Sequence, residues 1–283
     1  MNIHELVMLG IQVSILGTVF CFGLQAKWQD ALELLQERSL LVRSLLAMFL
    51  VMPVAALAIH AVWPLPKATQ IVLLALAISP IPPLLPKKEG KAGGLANYGL
   101  GLMLLVGLLA VVTVPVAVEL LGRYFNQPFH VSGAAIAKPV LAMIAAPLLL
   151  GMLVRRWMPG VASRLVHPVR IAATVLLAVC ALAIVVTMVP TLKTLFHDGT
   201  FWAMLLFACI GLVAGHLLGG PVGEERTVLA LSTASRHPAI ALIIAKGSFP
   251  DERYLAATVL LYLLVSTLLV LPYVQWRKRA NAG

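Results

Sequence analysis

Charge is what this 283-residue chain has least of. Asp, Glu, Lys and Arg make up only 11% of it, against 61% hydrophobic residues, where a soluble domain carries about 25% charged residues. So little charge cannot cover a water-facing surface. A soluble globular protein is excluded, and the mean hydropathy of +0.98 places the chain in a lipid bilayer. Cysteine is also scarce. Cys21, Cys180 and Cys209 stand singly inside apolar runs, with neither disulfide nor metal-ligand spacing, and are expected as buried thiols. Polar stretches long enough for an appended soluble domain are missing, the longest lying around residues 26–38.

Acids are missing from the apolar interiors. The eleven are Glu5, Asp30, Glu33, Glu37, Glu89, Glu119, Asp198, Glu224, Glu225, Asp251 and Glu252, all at expected span ends or in loops. No carboxylate is therefore expected at membrane depth. His, Cys, Asp and Glu show no metal-ligand clustering. The Ser235–His237 pair has no embedded acid to orient its histidine, so an embedded enzyme is not expected, nor is any cofactor. A non-transporting sensor would need a signalling domain that the chain does not show.

What is present is a series of nine apolar segments, at residues 5–25, 41–63, 69–86, 93–121, 134–154, 169–190, 200–219, 227–246 and 254–274. Each approaches the ~20 residues of a spanning helix except the third, which is short and broken. The first lacks both the basic start of a signal peptide and a small-residue cleavage site, so it is read as a retained helix. Between the first two, WQDALELLQERSLL sets Leu32, Leu35 and Leu40 among acids, a spacing that suits either an amphipathic helix on the cytoplasmic face or a plain helical linker.

The net charge of +10 is a topology signal and not a nucleic-acid footprint. Arg155, Arg156, Arg164 and Arg170 follow the fifth segment. With that end in the cytoplasm, 14 of the 21 basic residues fall inside and six outside, leaving Arg236 within a span. The positive-inside rule then puts the amino terminus out and the carboxyl terminus in. A bacterial inner membrane is the expected location.

Two of the segments carry matching interruptions. LALAISPIPPLLP at residues 74–86 and LALSTASRHPAIA at 229–241 lie 155 residues apart, so that Pro82-Pro83 falls on His237-Pro238. Proline removes a donor and blocks the helix behind it, freeing backbone groups to face a ligand. A paired break in two halves is the sequence pointer to a transporter's central site. Five spans separate the pair, an odd number, so the two broken helices enter the membrane with opposite polarity. The expected architecture is an all-α membrane protein forming one domain over 1–283, with halves 1–133 and 134–283 as inverted repeats.

Several stretches then resemble the bile acid:sodium symporter family and its bile, arsenite and riboflavin transporter relatives. They are FCFGLQAKWQDALEL, MFLVMPVAALAI, APLLLGMLVRRWMP and RTVLALSTASRHPAIALIIAKGSFPD. The resemblance implies a core and a panel domain, two crossed discontinuous helices in the core, and alternating access. Nine spans match members that lack the first of ten helices. The chain departs from the sodium-coupled pattern at both breaks. Ser79-Pro80-Ile81-Pro82-Pro83 stands where such members have cysteine-proline-glycine-glycine with a following serine-asparagine pair. Ser232 or Thr233 stands at the glutamate, and Arg236-His237 replaces glutamine-asparagine. Sodium coupling is not expected, although carbonyls and hydroxyls alone offer a weak site.

Arg236 is the sharpest candidate. A charge at membrane depth costs about 2.5–3.5 kcal/mol on insertion scales and marks a pathway or a partner. A guanidinium recognises carboxylate or phosphate in a planar fork. Either an anionic substrate answers it, or it stands in for a coupling cation, or carbonyls freed by the break satisfy it. His237 beside it is a neutral ligand or a proton carrier. His216, on the seventh segment, is expected to pack. Ser79, Ser232, Thr233 and Ser235 offer polar lining, Pro82, Pro83 and Pro238 shape the breaks, and Asn97 and Tyr98 reach toward the same cavity. Lys87, Lys88 and Lys91 form either a basic vestibule or a topology determinant. The expected function is secondary transport of a small organic anion by uniport, exchange or proton coupling. The alternative is sodium-coupled symport of bile-acid-like or keto-acid substrates.

Overall fold

A computed structural model of the chain describes residues 3–26, 34–125, 133–195 and 198–280. The regular structure among the described residues is helical throughout. In chain order the helices are α1 (Ile3–Gln25), α2 (Arg38–Val62), α3 (Lys67–Ile78), α4 (Leu85–Lys91), α5 (Ala96–Phe125), α6 (residues 133–157) and α7 (Pro159–Thr194). There follow α8 (Thr200–Leu218), α9 (Gly223–Ala234), α10 (Pro238–Ser248) and α11 (Leu255–Ala280).

Among the described residues six helical stretches are long and apolar enough to cross a membrane: Arg38–Val62, Ala96–Tyr124, Pro159–Cys180, Thr200–Leu218, Gly223–Ser248 taken across its break, and Leu255–Ala280. Leu9–Gln25 and Lys67–Ile78 are shorter apolar helices, and the segment expected at 134–154 lies on α6. Large apolar side chains such as Val112, Leu120, Val175, Val179, Leu217 and Leu268 are exposed on the outside of the bundle, as a lipid-facing surface requires. The chain is an integral membrane protein.

Proline decides where these helices bend and stop. Pro53 and Pro147 would each clash with the carbonyl four residues back, and in both cases that carbonyl lies in a widened π turn, Ala47–Val51 in α2 and Leu141–Ala145 in α6. α3 ends at Ile78 because Ser79 precedes Pro80 and is extended, with φ −75° and ψ 150°, as pre-proline residues favour. The chain then stays irregular through the prolines to Leu85. In the second interruption Ser235 is extended (φ −113°, ψ 122°), and His237 (φ −74°, ψ 104°) precedes Pro238, which opens α10. Gly93, at φ 77°, makes the tight turn from α4 into α5.

Among the described residues the core comes in two large apolar clusters and a small one of Leu195, Ala257, Leu261 and Val265. One large cluster joins the second half of α2, α3, the later part of α5, α8, α10 and the start of α11. The other joins the first half of α2, Leu85 of α4, the start of α5, α6, α9 and the end of α11. The broken helices therefore run in opposite directions, α3 and α10 meeting in one cluster and α4 and α9 meeting near the other. Both interruptions fall between the clusters. α1, α6 and α7 pack on one another, close enough that a Cβ on Gly151 would lie 2.8 Å from the Cα of Gly23 in α1.

Two sequence expectations change. Residues 159–168, read as a loop, are the first turns of the 36-residue α7, because Pro159 is well placed in a helix's opening turn. Of the amphipathic segment, residues 27–33 lie outside the described residues. In the remainder Leu34 and Leu40 are buried while Leu35 is exposed.

Candidate functional site

The two interruptions touch. The backbone N–H of His237 donates to Pro80 O at 2.9 Å, and Arg236 Nη1 donates to Ser79 O at 3.2 Å. Both are contacts between residues about 157 apart in sequence, across the gap where each helix has lost its ladder of bonds.

Arg236 is sealed in, with 2% of its surface exposed. Besides Ser79 O, its Nη2 donates to Met48 O at 3.0 Å. Met48 lies in the π turn of α2, so that widened turn supplies an acceptor for the guanidinium. Arg236 Nε has no partner among the described residues. Carbonyl oxygens solvate a cation without cancelling its charge, and no carboxylate of the described residues stands within ion-pair distance of this one.

Tyr262 of α11 holds the second interruption open. Its hydroxyl donates to Ala234 O at 2.8 Å and accepts from Arg236 N at 3.0 Å. One phenol thus satisfies the last carbonyl of α9 and an amide beyond it. His237 plays a structural part as well. Its Nδ1 accepts from Ile240 N at 3.4 Å, which caps α10 and puts the ring proton of the neutral tautomer on Nε2.

Glu89 lies outside the membrane-crossing stretches, as expected of a span end, but it is buried, which its sequence surroundings do not announce. Sequence places it in the charged run Lys87-Lys88-Glu89-Gly90-Lys91, which reads as a solvated end. In the fold it is 1% exposed, its Oε1 accepts from Ser232 Oγ at 2.6 Å, and its Oε2 has no partner among the described residues. Gly99 makes room for it, since a Cβ there would collide with Oε2. A carboxyl from α4, the helix after the first interruption, is thus brought to Ser232 of α9.

The other expected residues divide. Ser79, Ser232, Thr233 and Pro83 are buried at or beside the crossing, while Ser235, Pro82 and Pro238 are half-buried. The hydroxyls of Ser79 and Thr233 donate to carbonyls of their own helices, Leu76 O at 2.9 Å and Leu229 O at 2.7 Å. Tyr98 is buried with its hydroxyl 2.8 Å from Ser44 Oγ, next to Gly99, and Asn97 is half-buried. The three lysines do not converge. Lys87 Nζ donates to Thr174 Oγ1 of α7 at 2.8 Å, Lys88 Nζ to Thr267 Oγ1 of α11 at 3.5 Å, and Lys91 is exposed. His216 Nδ1 meets Tyr273 Oη at 2.8 Å and packs on its ring.

Sequence reasoning missed Met48, Tyr262 and Glu89. Tyr262 and Met48 sit in apolar runs that give no local sign of a polar task. Glu89 had one: Ser232 and Thr233 are hydroxyls within an apolar run, and a buried hydroxyl needs a partner.

No curated protein matches the chain. A profile described as the Sodium Bile acid symporter family matches residues 13–195, about two thirds of the chain. The match takes in the first interruption and ends before the second. With this match and its membrane-crossing helices, the chain belongs to the sodium bile acid symporter family and is a secondary transporter of the membrane.

Proposed function

We propose that the chain carries a small organic anion across the membrane by alternating access, without sodium as its usual driving ion. The substrate binds where the two interrupted helices cross, and Arg236 is its counter-charge. The observation that carries this reading is a fully buried guanidinium bonded to carbonyl oxygens alone, with Nε bare. Displacement of the Met48 carbonyl, as α2 moves, frees one edge of the guanidinium for a carboxylate or sulfonate. The amino end of α10 points its dipole at the same place, and Ser235 and His237 Nε2, on the same interruption, orient the rest.

The wider architecture follows from this reading. Nine spans place the amino terminus outside and the carboxyl terminus in the cytoplasm, in a bacterial inner membrane. Halves 1–133 and 134–283 are inverted repeats, which the opposed directions of α3–α4 and α9–α10 support. α1, α6 and α7 form the panel and the remaining helices the core.

The test is uptake of labelled carboxylates and sulfonates into proteoliposomes, with and without a sodium gradient. Arg236→Ala is expected to lose uptake by at least about 100-fold, the loss of a buried charge-assisted contact. Wild-type kinetics in that variant remove Arg236 from the substrate site. The family's description favours a second reading, sodium-coupled symport of bile-acid-like or keto-acid substrates, and uptake that needs the sodium gradient decides for it.

A further inference from the structure

Anion binding at Arg236 leaves Glu89 without a task. The carboxyl joins three helices: it belongs to α4, accepts from Ser232 of α9, and lies against Gly99 of α5. A cation-binding cage is a poor fit. A metal ion of this hard kind needs several converging oxygens, whereas the space beside Oε2 holds the Gly99 backbone and the methyl groups of Val228. A proton needs only the bare oxygen.

The surrounding charges do not neutralise Glu89. On its own helix, Lys87 and Lys88 are drawn off to Thr174 and Thr267, and Lys91 is exposed. On α5, Tyr98 is bonded to Ser44. On α9, Glu224, Glu225 and Arg226 lie nearer the helix start, with Arg226 donating to Gly220 O. On α11, Arg277 donates to Thr227 and Tyr273 meets His216.

We propose that Glu89 is the proton-binding site that couples transport. Its Oε2 forms an O–H bond with a proton taken from water when the anion occupies Arg236. The bond breaks and the proton returns to water on the other side when the anion leaves. This rests on Arg236 as the anion's counter-charge, and charge balance is what links the two. With both sites empty, the guanidinium and the carboxylate sum to zero net charge without touching. With both filled, the anion cancels the guanidinium and the proton cancels the carboxylate. A single occupant leaves a net charge in the core, which hydrocarbon opposes. The two neutral forms change their facing and the half-filled forms do not, and the result is symport of anion and proton.

Two measurements test this. The first is infrared spectroscopy of the chain in lipid, titrated with acid, with the Glu89→Gln spectrum subtracted. A C=O band of a protonated carboxyl is expected in the wild type and not in Glu89→Gln. In Ser232→Ala the band moves to higher frequency, because the C=O has lost its donor. Where Glu89→Gln fails to fold, that shift carries the test. Absence of a Glu89-dependent band, or a band unmoved in Ser232→Ala, ends the proposal whether or not any anion is carried.

The second uses proteoliposomes, labelled taurocholate and labelled pyruvate. Acid outside drives accumulation in the wild type. Glu89→Gln resembles the protonated form, so its anion-loaded carrier still turns and its empty carrier does not. Counterflow remains measurable while acid-driven accumulation falls to background. Accumulation at the wild-type level in Glu89→Gln, or accumulation driven by sodium in place of acid, overturns the coupling. Loss of transport in Arg236→Ala concerns the anion site alone, and loss of the infrared band concerns the proton site alone.

Discussion

Tyr262→Phe tests whether the second interruption is dry. The replacement keeps the ring that lies 6.1 Å, centroid to centroid, from Phe207 and removes one oxygen. That oxygen is the partner of Ala234 O and of Arg236 N. Two buried backbone groups are then orphaned, and at about 1–3 kcal/mol each the loss is roughly 2–6 kcal/mol. Equilibrium unfolding of the purified protein in mixed micelles reads this directly. Tyr273→Phe is the comparison, because its hydroxyl pairs with the side chains of His216 and Thr227 instead of joining two backbone groups. It is expected to cost at most about 1.5 kcal/mol. A Tyr262→Phe loss no larger than about 0.5 kcal/mol, the scatter of surface substitutions, would show that water already reaches the gap. The account of a single phenol holding the helix ends apart would then be wrong.

Other predictions follow from local contacts. Thr69 and Thr200 are fully buried and share one hydrogen bond of 2.6 Å, so Thr200→Val alone costs about 1–3 kcal/mol while Val at both positions restores most of the stability; a double-mutant cycle in the same unfolding assay checks this. A Cβ at Gly215 would meet Ala230 Cα at 2.6 Å. Gly215→Val therefore pushes α8 from α9 and costs about 1–3 kcal/mol or more, seen as lost monodisperse protein on gel filtration, whereas Gly160→Ala, with open space around it, changes nothing or stabilises slightly. The exposed Arg123–Glu119 pair contributes little, and Glu119→Gln is expected to shift the unfolding free energy by less than about 1 kcal/mol.

Local rules carried much of the site into the sequence. The interruptions were legible because proline acts on its immediate neighbours: Pro80 sets Ser79 extended and Pro238 sets His237 extended, whatever surrounds them. Arg236 was legible because a charge stands out in an apolar run. That its guanidinium rests on carbonyls was one of the readings left open by the residues, and the acceptor Met48 lies 188 positions away. The burial of Glu89 was not legible, for the opposite reason. Its four neighbours are three lysines and a glycine, so local composition announces water, and only the packing of α4 against α9 and the missing side chain of Gly99 bury it. Burial by distant partners leaves no mark in a short window of sequence.

The order of synthesis has a consequence for the segment that holds Arg236. Gly223–Ser248 is the most enclosed of the long apolar stretches, 72% of its most apolar window being buried within the protein. A cation on a segment so placed is poorly suited to wait alone in lipid. Met48 and Ser79, which receive its guanidinium, precede it by 188 and 157 residues. Those acceptors have left the ribosome and entered the bilayer before the arginine is made. Biogenesis therefore delivers the charged helix into a shell already waiting for it, and a chain lacking α2 and the first interruption would leave its guanidinium without those acceptors.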